Sequence, residues 1–90
     1  MTKNELMKEY TRLTEEKGVR LDGINYSCNK STLENAIMCL ECTDETLNEY
    51  LVVIKLKYPN TYNTINNNGD FKKHSFNRLY VYNTARMILA

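Results

Sequence analysis

Ninety residues with a net charge of +1, 42% hydrophobic residues, three Gly and one Pro describe one folded, helix-rich domain spanning residues 1–90, because halving the chain would leave pieces too small to keep a core without staples. No apolar run approaches the roughly 20 residues of a membrane span. Three cysteines, an odd number, suit a reducing interior better than a secreted disulfide framework. The expected location is therefore cytoplasmic, with no membrane contact. Abundant Asn, Lys, Ile and Tyr, as AT-rich coding sequence gives, point to a low-GC bacterium or one of its phages.

The first helix is expected over about residues 3–17. Thr2 and Glu5 have the spacing of a capping box, Leu6, Met7, Tyr10 and Leu13 form an apolar stripe, and Gly18 can take the left-handed conformation that ends a helix. Beyond it, Val19-Arg20-Leu21-Asp22-Gly23-Ile24-Asn25-Tyr26 alternates around Asp-Gly, the pattern of a tight hairpin with Leu21 opposite Ile24 and Val19 opposite Tyr26. An ordered loop of the same course is the alternative.

Ser31 with Glu34 repeats the capping-box spacing and predicts a second helix over about 32–41, with Leu33, Ala36, Ile37 and Leu40 inward. Thr43 followed by Asp44 and Glu45 starts a third helix, since a hydroxyl caps it and two acids suit the positive end of its dipole. That segment, Asp44 to Tyr58, holds the densest apolar run. Leu47, Leu51, Ile54 and Tyr58 define its dry face, and it is expected to be the most buried element. Pro59 stops it. Residues 60–69 read either as a short helical turn holding Tyr62 and Ile65, closed by Asn68-Gly69, or as an exposed loop. A last helix is expected over about 73–89, with Phe76, Tyr80, Asn83 and Met87 on one face. The fold class is thus mainly α: a small domain of about four helices around a central apolar helix, with a short β-hairpin after the first.

Charge is distributed unevenly. Through Tyr50, six bases meet ten acids, a net of −4; from Leu51 onward, six bases meet only Asp70, a net of +5. One half could neutralise the other internally. Alternatively, the basic half is a binding surface, because cations interleaved with aromatics suit phosphate backbones, stacked bases and acidic proteins. The candidate partner-binding residues are Lys55, Lys57 and Tyr62, followed by Lys72, Lys73, Arg78, Tyr82 and Arg86. Helices two and three have helix-turn-helix spacing, but the turn lacks Gly and the second helix is too apolar to read a groove. If DNA is bound, the final helix with Lys72, Lys73, Arg78 and Arg86 is the better reader.

Chemistry-bearing motifs are incomplete. Cys39-Leu40-Glu41-Cys42 is a C-x-x-C, but it falls at a helix C-terminus, where the dipole opposes a thiolate. Cys28, Cys39, Cys42 and His74 count as four zinc ligands at irregular spacing. His74 is the sole histidine, and neither Cys28 nor Ser75 is placed beside it as a nucleophile by spacing. The pairs Glu15-Glu16 and Asp44-Glu45 read as solvated or capping residues. The expectation is a non-enzymatic protein without metal or cofactor, a small regulatory or inhibitory binder that docks stoichiometrically on a macromolecule of its host. A protein partner is expected first, nucleic acid is the alternative, and self-association is a third course.

Overall fold

A computed structural model describes residues 1–73 and 75–90, Ser75 by its backbone alone. Among the described residues there are five helices and no strand: α1 (Lys3–Lys17), α2 (Lys30–Glu41), α3 (Asp44–Lys57), α4 (Pro59–Asn66) and α5 (Ser75–Leu89). α1 packs on α2 and α3 packs on α4, while α5 touches both α3 and α2 and so joins the two pairs. One apolar core draws on every helix, with Leu6, Leu40, Leu47, Ile65 and Val81 among its members.

Local chemistry explains the starts and stops. The Thr2 hydroxyl accepts from the Glu5 N–H and the Glu5 carboxylate accepts from the Thr2 N–H, completing the capping box. Gly18, at φ +69°, closes α1 in the left-handed conformation that glycine takes without strain. α2 begins earlier than Ser31 predicts: the Asn29 Oδ1 accepts from the Thr32 N–H at 2.8 Å, and the Ser31 hydroxyl donates to the same oxygen instead of capping. Thr43 caps α3 as expected. Cys42 is extended, which separates α2 from α3. Pro59 opens α4 as a genuine two-turn helix, the first of the two alternatives for that stretch.

The segment from Val19 to Tyr26 is not a hairpin. A type I′ turn needs positive φ at both central residues, and here Gly23 has it while Asp22 does not. The backbone groups of Leu21 are also occupied elsewhere: the Tyr10 hydroxyl accepts from its N–H at 2.9 Å and donates to its carbonyl at 3.2 Å. With both groups bonded to a side chain of α1, the stretch runs as a loop pinned beneath that helix. Val19 and Leu21 enter the core and Tyr26 faces out.

The expectation for α3 also needs correction. Leu47 and Ile54 are fully buried, but Leu51 is only partly so, Tyr58 is exposed, and Leu56 keeps 80% of its surface. The reason is packing: α4 and α5 cover one side of α3, and Val52 and Leu56 face away from it. α2, held by α1 and α5, buries Leu33, Ala36, Ile37, Cys39 and Leu40 and is the drier helix. α5 carries two apolar faces. Val81, Tyr82 and Ala85 point into the core with Asn77 and Arg78, whereas Phe76, Tyr80 and Met87, the face singled out by sequence, point outward.

Candidate functional site

Of the eight residues expected to meet a partner, the structure withdraws two into the interior. Arg78 retains 2% of its surface and Tyr82 retains 4%. Arg78 serves the end of α2, a helix that finishes with neither Gly nor a basic residue in its last turn. Its Nη2 donates to the carbonyls of Cys39, Leu40 and Cys42 at 3.2, 3.2 and 3.0 Å, and its Nη1 donates to Lys72 O at 3.0 Å. The last carbonyls of a helix have no partner inside it, and a planar cation with several donors supplies them at once. The Asp44 carboxylate lies 3.9 Å from Nη1 but is mostly exposed, so the ion pair contributes little. Tyr82 packs against Tyr50 with ring centroids 6.1 Å apart. Its hydroxyl accepts from Arg86 Nη1 at 2.7 Å.

The remaining cations are distributed along the surface. Lys55 lies over the Tyr62 ring at 5.1 Å, Lys72 is 5.9 Å from the Phe71 ring, and Arg86 covers Tyr82 at 5.2 Å. Among the described residues no salt bridge engages Lys55, Lys57, Lys72, Lys73 or Arg86; apart from the long Arg78 contact, ion pairs form only within α1, where Arg12 meets Glu9 and Glu16. Among the described residues, the close ion pairs between the acidic and the basic half are thus limited to the Arg78–Asp44 contact. Lys72 and Lys73 line a groove with Lys17 and Arg78, but Asp44, Glu45 and Asp70 line the same groove, and its field is mixed.

The surface that stands out is the outward face of α5. Phe76 and Tyr80, one turn apart, stack with centroids 5.8 Å apart at 21°, yet Phe76 keeps 58% and Met87 79% of their surface. Tyr80 and Thr84 separate two grooves. One, of about 600 Å³, runs toward Lys57, Tyr58 and Thr61 at the junction of α3 and α4, with Met87 and Ile88 along its other wall. The second, of about 340 Å³, lies between Phe76, Leu79, Asn83 and Asp22. Lys57 is the one expected site residue that lines the larger groove, and Arg86 adjoins Met87 in a neighbouring depression. Tyr58, Phe76, Tyr80 and Met87 were not among the expected contacts. The signal for them was present, because a helix with apolar residues on two opposite faces cannot bury both in a domain this small.

Cys39 and Cys42 occupy poor sites for thiolate chemistry. Cys39 is buried against α5, its thiol donates to the Arg78 carbonyl at 3.8 Å, and burial pushes its pKa up to about 11. Burial also raises that of Cys42. Cys28 donates to the Gly23 carbonyl from the loop. No group of three His, Cys, Asp or Glu side chains able to hold a metal comes together among the described residues. His74 and the side chain of Ser75 lie outside the described residues, and with them the fourth zinc ligand and the nucleophile readings. No described helix is long and apolar enough to cross a membrane.

Comparison with protein-family models, with curated proteins and with solved structures returns no match.

Proposed function

We propose that this chain is a non-enzymatic binding protein that docks stoichiometrically on another protein through the outward face of α5 and the adjoining end of α3. The observation that carries the reading is the exposed row Phe76, Tyr80 and Met87 beside Tyr58 and Lys57. Aromatic and methionine side chains left in water on a folded domain are what the centres of interfaces are made of, with cations at the rim. A regulatory or inhibitory role in the cytoplasm of a bacterial or phage-infected cell fits a small domain of this kind. The test is affinity capture from nuclease-treated extract with the wild-type chain and with Tyr80→Glu or Met87→Glu: a partner retained by the wild type and lost from both variants is expected, and equal retention by all three would refute the reading.

Nucleic acid is the second reading, favoured by Lys55, Lys57, Lys72 and Lys73, none of which forms a salt bridge among the described residues. It loses Arg78 to the interior, and Met87 and Phe76 offer nothing to a phosphate. It predicts an electrophoretic shift whose affinity falls steeply as salt rises.

A further inference from the structure

We infer that in the free protein the outward face of α5 is covered by the same face of a second copy, the two helices running antiparallel about a two-fold axis, so that self-association competes with docking. The inference rests on the docking role proposed above and adds its regulation. Phe76, Tyr80, Asn83 and Met87 follow one another at intervals of four, three and four residues, the spacing of a helix–helix seam, and that spacing reads the same in both directions. A two-fold across its midpoint therefore sets Phe76 against Met87 of the second copy and Tyr80 against Asn83 of the second copy. The first pair joins a ring and a thioether, which attract. The second faces a hydroxyl with an amide, and one polar position in an otherwise apolar seam fixes register and orientation. Grooves on both sides of the ridge formed by Tyr80 and Thr84 leave the incoming side chains room to interdigitate.

Charge selects the antiparallel arrangement. Asp22 and Arg86 lie on one flank of the seam, on either side of Asn83: Asp22 lines a groove with Phe76 and Leu79, Arg86 lines a depression with Met87 and Ala90, and Asn83 borders both. A two-fold lying across the seam keeps each flank on its own side and reverses its direction. It brings Asp22 of each copy over Arg86 of the other, twice in one interface, whereas a parallel pair would leave the two at opposite ends. Among the described residues neither side chain forms a salt bridge within its own chain. Lys57 lies on the other flank, toward Met87 and Ile88, and the same operation carries its two copies toward opposite ends instead of opposing them. The seam is a strip about 16 Å long and one helix, about 10 Å, wide, well below the roughly 800 Å² per partner of a standard interface. The pair is therefore weak and reversible, and a partner that seats on the same face displaces it.

The test is sedimentation velocity on the purified full chain from about 10 µM to about 1 mM, the range in which a small interface associates. A monomer–dimer equilibrium is expected, abolished by Met87→Glu, which sets a carboxylate against Phe76 of the second copy, with the unfolding midpoint left in place. Asp22→Arg should weaken the dimer about fivefold or more, since two ion pairs are lost at once. Combining it with Arg86→Asp exchanges the charges across the two-fold and should restore the dimer to within about twofold of the wild type. A monomer throughout, a dimer indifferent to Met87→Glu, or growth beyond the dimer, which a closed two-fold forbids, would overturn the inference. So would a dimer that Asp22→Arg leaves unchanged, a result that decides the matter even if Arg86→Asp, which also gives up the bond to the Tyr82 hydroxyl, fails to fold. If no dimer forms while affinity capture still depends on Tyr80 and Met87, the pairing falls and the docking role stands. If the dimer behaves as described while capture ignores both substitutions, the docking role falls and the pairing stands.

Discussion

Arg78 Nη2 lies 3.2 Å from the Leu40 carbonyl and donates to it, tying the fifth helix to the last turn of the second across 38 residues of sequence. Together with its bonds to Cys39, Cys42 and Lys72, this makes a residue from the basic half of the chain a structural cap rather than a partner contact. Arg78→Met leaves these carbonyls without their donor, and Arg78→Lys offers a single ammonium where a fork is needed. Each is expected to cost about 3 kcal/mol, from the cost of breaking buried charge-assisted hydrogen bonds, read as a fall in the urea midpoint. A loss below about 1 kcal/mol in both variants would show that water can replace the guanidinium.

The loop after α1 depends on Tyr10 in the same way. Its hydroxyl both donates to and accepts from Leu21, so Tyr10→Phe keeps the buried ring while orphaning an N–H and a carbonyl. The expected cost is about 1–3 kcal/mol, with faster hydrogen exchange at the Leu21 amide. Unchanged protection at that amide would contradict the pinning of the loop.

Cys39 couples stability to alkaline pH. Its thiol ionises near 9.0 in its ordinary state and at about 11 in the folded chain, so the folded state holds the proton more tightly. The stabilisation is complete below pH 9 and is lost as pH rises toward 11, in total about 2–3 kcal/mol from the free-energy equivalent of a pKa difference. Burial also raises the pKa of Tyr10 and Tyr82 above 10, which adds to the alkaline loss. Cys39→Ala should flatten the stability profile between pH 9 and 11, and Cys39 of the native chain should alkylate only on unfolding. Rapid alkylation of Cys39 in the folded protein would contradict this burial.

Much of the helical scaffold was legible in the residues themselves. Thr2 with Glu5, Thr43 with Asp44 and Glu45, Gly18 and Pro59 are local signals whose chemistry is complete within a turn or two, and the helices they bound formed where expected. What failed depended on distant partners. The Asp-Gly turn was overruled by a hydroxyl eleven residues upstream. The stripe of α3 was correct in spacing, but spacing cannot say that only one side of the helix will be covered. The same limit governed the site: six basic residues read alike in sequence, and only the uncapped end of α2 hinted that one of them would be drawn inside. The exposed face of α5 was visible as a period of four and three, and was overlooked as a contact surface because such a stripe is more often core.

The central claim, that the outward face of α5 is where a protein partner seats, is tested most directly by site-specific photo-crosslinking in extract, with p-benzoylphenylalanine in place of Met87 and, separately, in place of Glu15 on the exposed face of α1. The account predicts a discrete, nuclease-resistant protein adduct from position 87, absent from position 15 and suppressed by Tyr80→Glu. Adducts of equal yield from both positions, or one from position 87 that nuclease removes, would contradict it.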